Sequence, residues 1–300
     1  MNRKQALKTM AAGAGSALAL PTLASTMKTT PPKPHPNPLL KERELSLKGN
    51  INHSVCQWCF SSIPLDDLAK AAKEMGLKSV ELLGPDEWAV VQKYGLTCAM
   101  AYVTRIGLTK GFNDPTLHEQ LLKDYSTNIP KAANAGLKKV ICFSGNRNGL
   151  SSEQGIENCA KGLEPVLKVA AQNNITVCME LLNSKVNHPD QQCDHTEWGV
   201  KLCEKIGSDQ FKLLYDIYHM QIMEGDVIAT INKHSKYIAH YHTGGVPGRH
   251  EINETQELYY PAIMRAILKT GYQGFVAQEF IPSQPDKLAS LKQGVGICDV

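Results

Sequence analysis

The sequence predicts a (β/α)8 barrel. From residue 55 onward, eight short apolar runs alternate with helical stretches, a pattern that implies parallel pairing of the runs. The runs are almost continuously apolar, as strands buried on both faces of a sheet must be. The chain has 300 residues, and a barrel of this kind needs about 250. An open doubly wound sheet is the alternative, but no Gly-x-Gly-x-x-Gly follows any of the runs.

Residues 1–25 read as an export signal. Arg3, Lys4 and Lys8 form a basic start, residues 10–20 an Ala/Gly-rich apolar run, and Thr22-Leu23-Ala24 offers small residues for cleavage. The run is too short to span a bilayer, so no stable membrane anchor is expected. The pattern resembles a twin-arginine signal, with Arg3-Lys4 in place of Arg-Arg, and places the protein in the periplasm. Residues 26–50 hold Pro31, Pro32, Pro34, Pro36 and Pro38 and read as a stiff linker. The barrel is assigned to residues 51–300.

The first strand is read at 55–60, followed by a helix at 65–76 whose Leu65, Leu68, Ala69, Ala72 and Met75 share one face and whose stop is Gly76. The second strand is 79–84, with a short helix at 86–94, and the third is 97–103. A long helix from about 116 ends at Gly136, and the fourth strand is 139–145. Ser151 with Gln154 three residues on is a capping box for a helix reaching about 173. The fifth strand is 176–183, and Gly207 ends a helix over 196–206. The last three strands are 211–217, 238–244 and 275–280. They are joined by a helix at 258–269, and a final helix at 286–295 closes the ring.

Hydrophobic residues make up 42% and charged residues 20%, ordinary values for a chain with a real core. The formal charge of +3 falls to zero once the three basic residues of 1–25 are set aside. That balance argues against the clustered positive surface a nucleic-acid partner requires. Nine cysteines cannot all pair within one chain. Cys56, Cys98, Cys142 and Cys178 lie in apolar runs and read as small buried hydrophobes. Cys56-x-x-Cys59 lies in a strand pattern, without the helix start or adjacent cation that lowers a thiol pKa.

The chemistry gathers in 176–280. Four successive runs each carry a residue able to bind a metal late in the strand: Glu180, Asp216, His242 and Glu279. In a barrel, strand C-termini form the active-site mouth, so these four should converge. Buried singly, each carboxylate would be costly, and a shared cation compensates them. An oxygen-rich set with one imidazole suits Mn2+ or Mg2+ better than structural zinc. His219, three residues beyond Asp216, and Arg249, in the Gly-rich loop 242–251, read as substrate contacts, and Trp58 as a pocket wall. Ser144-Gly145-Asn146-Arg147 is a weaker polar cradle, and His195 reads as a helix cap.

At these residues the chain resembles the xylose-isomerase-like TIM barrels, within the branch of hydroxypyruvate isomerases and ketose 3-epimerases. The resemblance rests on the Glu of Met-Glu-Leu-Leu-Asn, the Asp-x-x-His at 216–219, the loop through Pro-Gly-Arg-His-Glu at 247–251, and the Glu of Gln-Glu-Phe at 278–280. It implies a divalent metal on Glu180, Asp216, His242 and Glu279. It makes Glu180 and Glu279 the acid/base pair, and His219 and Arg249 the substrate contacts. The implied reaction is proton transfer through an enediolate of a sugar or hydroxy-keto acid, giving isomerisation or, as a second reading, C3 epimerisation. His242 stands where hydroxypyruvate isomerases often carry Gln, and residues 251–257 depart from their Glu-Pro-Gly-Thr-Gly-Glu. A nuclease of the endonuclease IV kind would want more histidines and a basic face. An exported, catalytically silent carbohydrate-binding barrel is the reading outside enzymology. A homo-oligomer is compatible with the composition.

Overall fold

The computed structural model describes residues 46–300, so the export signal and most of the Pro-rich segment lie outside the described residues. Seven named strands form one parallel sheet: β1 (Asn52–Cys56), β2 (Ser79–Glu81), β3 (Lys139–Cys142), β4 (Thr176–Glu180), β5 (Phe211–Asp216), β6 (Ile238–Thr243) and β7 (Phe275–Gln278). Their order is β2-β1-β7-β6-β5-β4-β3. The gap between β2 and β3 is filled by the run read as the third strand. Ala101 bridges both Leu83 and Val140 in parallel, and Thr97 bridges Ser79. The ring is therefore closed as a TIM barrel.

That third run is not a regular strand, and the reason is local. Ser79 Oγ accepts the Ala99 N–H at 2.9 Å, taking it out of the ladder. Leu82 sits at φ +60, which ends β2 three residues before the predicted end at 84. The first run is also shorter than read. Strand β1 stops at Cys56, and residues Gln57–Phe60 form a 3-10 turn that lifts Trp58 toward the barrel mouth.

The helices among the described residues are α1 (Leu65–Glu74), α2 (Trp88–Gln92), α3 (His118–Asn134), α4 (Ser152–Gln172), α5 (Thr196–Ile206), α6 (Ile217–Met223), α7 (Val227–His234), α8 (Tyr260–Lys269) and α9 (Lys287–Cys298). Helix α4 opens with the expected capping box of Ser151 and Gln154. Helix α5 ends at Gly207 in the left-handed conformation, φ +63. His195 holds the N-cap position of α5 but makes no cap bond. Glu224 instead accepts from the Thr196 N–H at 2.6 Å and its hydroxyl at 2.7 Å. No helix among the described residues is long and apolar enough to cross a membrane.

Register decides what meets at the mouth. A bulge at Ala239 shifts β5 against β6, after which Asp216 lies directly beside His242. The bulged Ala239 carbonyl accepts from the Tyr272 hydroxyl at 3.1 Å, so the irregularity leaves it satisfied. Beside β6, Thr243 pairs with Gln278, and Glu279 donates its N–H to the Thr243 carbonyl at 3.0 Å. Glu180, Asp216, His242 and Glu279 thus lie at, or one residue from, the C-terminal ends of four consecutive neighbours in the sheet.

All nine cysteines are free and buried. Burial pushes the Cys56 and Cys59 thiols well up, so neither is a ready thiolate.

Closure of the ring gives a test. The Ala101 N–H donates to the Lys139 carbonyl at 3.1 Å. Ala101→Pro removes that donor and leaves a buried carbonyl unpaired, which should cost about 1–3 kcal/mol in a denaturant titration. Wild-type stability in this variant would mean that the bridge does not hold the ring together.

Candidate active site

One ligand atom from each of Glu180, Asp216, His242 and Glu279 lies within 4.8 Å of the others, and all four residues are buried. The structure therefore brings the four predicted candidate ligands together. Glu279 Oε2 is 2.7 Å from His242 Nδ1, and Glu180 Oε1 is 3.6 Å from the same nitrogen. Glu180 Oε1 is buried without a hydrogen-bond partner. An orphaned buried oxygen among three carboxylates and one imidazole fits a hard divalent cation.

The protein's own cations partly balance this charge. Arg249 Nη2 donates to Glu279 Oε2 at 2.6 Å and to Asp216 Oδ2 at 2.9 Å. The guanidinium lies between Trp58 and Tyr218, 5.3 and 5.2 Å from their ring centres, which fixes its plane. Arg249 is held at φ +59 by a loop so tight that a side chain on Gly245 would collide with the Glu251 carbonyl. Arg249 does not pair with Glu251, which accepts from Ser283 and Ser290.

The carboxylates are consequently unequal. Burial would raise Glu279, but the charges of His242 and Arg249 hold it well below the usual carboxylate range. Burial and the charge of Glu279 raise Glu180. Burial pushes Asp216 up to about 8 against the pull of Arg249, with Glu279 and Glu180 adding to the rise. Burial would lower His242, but the Glu279 charge outweighs it and raises the imidazole well above its ordinary value.

Asp216 also builds the neighbouring helix. Its Oδ1 accepts from the Tyr218 N–H at 2.8 Å, capping α6 and fixing His219 one turn above. The Asn183 amide is oriented by the Val186 and Asn187 N–H groups, which donate to its Oδ1 at 3.1 and 2.8 Å. Asn183 Nδ2 therefore donates to His219 Nδ1 at 2.6 Å. Burial drives His219 well below its ordinary pKa, so the ring is neutral. Arg249 Nη1 lies 2.9 Å from His219 Nε2, which sets guanidinium and imidazole side by side.

A cavity of about 270 Å3 opens onto the cluster, lined by Trp58, Tyr102, Leu108, Glu180, Leu182, His188, Arg249 and Glu279. Trp58, exposed on its wall, donates from Nε1 to Glu279 Oε1 at 2.8 Å. Asp216 and His242 do not line this space, whereas Glu180 and Glu279 do. Ser144 and Arg147 serve the scaffold instead. Ser144 Oγ accepts from Cys193 N at 3.0 Å, and Arg147 pairs with Asp194 at 2.8 Å, bracing the loop after β4.

Sequence reasoning missed Glu81, His240, Asn183 and His188. Glu81 Oε1 accepts from His242 Nε2 at 2.9 Å and from His240 Nε2 at 2.7 Å. Despite complete burial, the two imidazoles hold Glu81 down at about 2. An acid inside an apolar strand, and two histidines two residues apart on one strand face, were both visible signals.

A carboxylate pair at the mouth of a closed parallel barrel, faced by a guanidinium and a neutral imidazole, is equipped to move a proton beside a carbonyl; the class is a barrel isomerase. The chain belongs to the xylose isomerase-like TIM-barrel family, which matches residues 69–296. It is 30% identical over 233 residues to the putative hydroxypyruvate isomerase of Homo sapiens, covering 75% of this chain and 77% of that protein. Its fold is shared with a Brucella melitensis protein described as AP endonuclease, family 2, at TM-score 0.73 and 22% identity, covering 82% of this chain and 96% of the other. It is shared too with D-psicose 3-epimerase of Clostridium cellulolyticum H10, at TM-score 0.64 and 16% identity, covering 81% and 90%.

The raised Asp216 sets a pH dependence for the metal-free protein. Its contribution to stability is present below the unfolded value, about 3.9, and is lost as pH rises through about 8. Asp216→Asn keeps the cap acceptor and removes the buried charge. The metal-free variant should melt above wild type at pH 9 and match it at pH 4. A variant less stable than wild type at pH 9 would mean that Arg249 keeps the carboxylate ionised at no cost.

Proposed function

We propose that the protein is a divalent-metal-dependent isomerase of a small α-hydroxycarbonyl compound, a sugar or hydroxy-keto acid of the hydroxypyruvate type. The observation that carries this is the double membership of Glu180 and Glu279. Both belong to the cluster of candidate ligands and both line the cavity. The other two candidate ligands lie behind them. A volume of about 270 Å3 is just below the range of about 300–1,000 Å3 that takes drug-sized ligands, which suits a compact metabolite.

Glu180, Asp216, His242 and Glu279 would hold the ion. When bound, a divalent cation supplies Lewis acidity toward the substrate carbonyl oxygen. The remaining work belongs to the chain. One of Glu180 and Glu279 removes the proton α to the carbonyl, and the same or the other glutamate returns one to the enediolate. The Arg249 fork, which lines the cavity, donates to substrate oxygens, and His219 beside it is the second polar contact for them. Trp58, Tyr102, Leu108 and Leu182 keep water from the reacting carbons. Return of the proton to the neighbouring carbon, with proton exchange between the oxygens, gives isomerisation. Return to the same carbon from the opposite face gives epimerisation. The second outcome is favoured by His242, which stands where hydroxypyruvate isomerases often have Gln.

A turnover assay with Mn2+ on hydroxypyruvate, ketoses and aldoses tests the reading. Turnover of none of them would favour a barrel that binds carbohydrate without converting it. Glu180→Gln and Glu279→Gln should each retain Mn2+ yet lose on the order of 10²- to 10⁴-fold in kcat, the usual worth of a positioned acid or base. Near wild-type turnover in either variant, with metal bound, would reduce that glutamate to a ligand. Export follows from the order of basic, apolar and small residues in 1–25. Mass spectrometry of the native protein should find an N-terminus close to Ala24, and an intact Met1 would overturn it.

A further inference from the structure

We propose that Glu81 is a positioning residue, which fixes the His242 imidazole so that its Nδ1 lone pair faces the ion site. The inference deepens the functional reading and rests on His242 being a ligand there. Strands β2 and β6 are not neighbours, since β1 and β7 lie between them. The bond from His242 to Glu81 therefore crosses the barrel interior, and none of Glu81, His240 and His242 is exposed to solvent.

Glu81 Oε1 accepts from His242 Nε2 at 2.9 Å, and Cys56 Sγ is the other polar neighbour of that nitrogen, at 3.9 Å. An ionised carboxylate only accepts, so His242 Nε2 carries a hydrogen. A neutral His242 then has one free lone pair, on Nδ1, the nitrogen that faces Glu279 and Glu180. This is the carboxylate–histidine relation that orients a ligand and raises its basicity.

His240 is the anchor on the other side. It shares the face of β6 with His242 and donates from Nε2 to the same Glu81 oxygen at 2.7 Å. Two donors from one strand clamp one carboxylate oxygen, so Glu81 cannot swing without breaking both bonds.

Glu81, His240 and His242 also form a set of metal-type residues with ligand atoms within 4.8 Å of one another. Both ring nitrogens already donate to Glu81 Oε1 at hydrogen-bond length, 2.7 and 2.9 Å, so that oxygen holds two donors. The trio is proton-linked support for the site above it.

The test is calorimetric titration of Mn2+ into metal-free wild type and Glu81→Gln, with thermal midpoints measured alongside. Glu81→Gln keeps the volume and an acceptor oxygen but loses the charge. The expected result is Mn2+ binding weakened by about 10- to 100-fold, with the metal-free midpoint within a few degrees of wild type. A lowered midpoint with wild-type Mn2+ affinity would make Glu81 a structural residue and overturn the inference. Should Glu81→Gln fail to fold, His240→Leu removes only the second donor. It is expected to weaken Mn2+ several-fold, and unchanged affinity there overturns the inference equally. A wild-type protein that binds no Mn2+ removes the functional reading and this inference together. Tight wild-type binding with an indifferent Glu81→Gln removes this inference alone.

Discussion

Glu180, Asp216 and Glu279 bring three carboxylates into one buried space, and the ion pair of Arg249 with two of them is the interaction on which the metal-free mouth depends. Arg249 Nη2 reaches Glu279 Oε2 and Asp216 Oδ2 together. Removing Arg249 leaves buried carboxylate charge uncompensated, at a cost of about 3–5 kcal/mol. The loop that carries Arg249 is correspondingly specified. Gly245 admits close approach of the returning chain, Arg249 takes a left-handed conformation, and Ile281 donates its N–H to the Arg249 carbonyl at 2.6 Å. The guanidinium supplies positive charge to two of the four candidate ligands.

The arrangement divides the site into layers. At the front, Glu180 and Glu279 face the cavity with His188 and Arg249. Behind them, Asp216 and His242 serve the cluster without touching the cavity. Deeper still, Glu81 and His240 hold His242 from across the barrel. Asp216 joins front and middle, because the carboxylate that pairs with Arg249 also caps α6 and so places His219. Rigid strands carry the cluster, and loops carry Trp58, His188 and Arg249. Such a division suits a site whose reacting groups stay fixed while its walls adapt to a substrate.

Much of this was legible in the sequence where one residue carried two signals. Glu180 and Glu279 were both strand-end residues and acids in apolar surroundings, and the barrel rule turned four such positions into one site. The bulge at Ala239 was not legible, because it depends on the pairing of β5 with β6 and on Tyr272 reaching the freed carbonyl. The run 97–103 read as a strand because its apolar composition hides a side-chain contact, the bond from Ala99 to Ser79, that breaks the ladder. Trp58 was placed on the pocket wall, but its turn beyond β1 and its bond to Glu279 came only with the fold. Glu81 stood in an apolar strand like the other glutamates. Its partner is 161 positions away in sequence, across the barrel, and strand patterning does not reveal which strands face each other.

The central claim is that a divalent cation takes the place of the Arg249 charge on this cluster. Anomalous diffraction at the manganese edge, from crystals grown with Mn2+, tests it most directly. The account predicts one strong peak bonded to Glu180, Asp216, His242 Nδ1 and Glu279, with the Arg249 guanidinium withdrawn from the Asp216 and Glu279 oxygens it now holds. A cluster without a peak, with Arg249 still paired to both carboxylates, would contradict it.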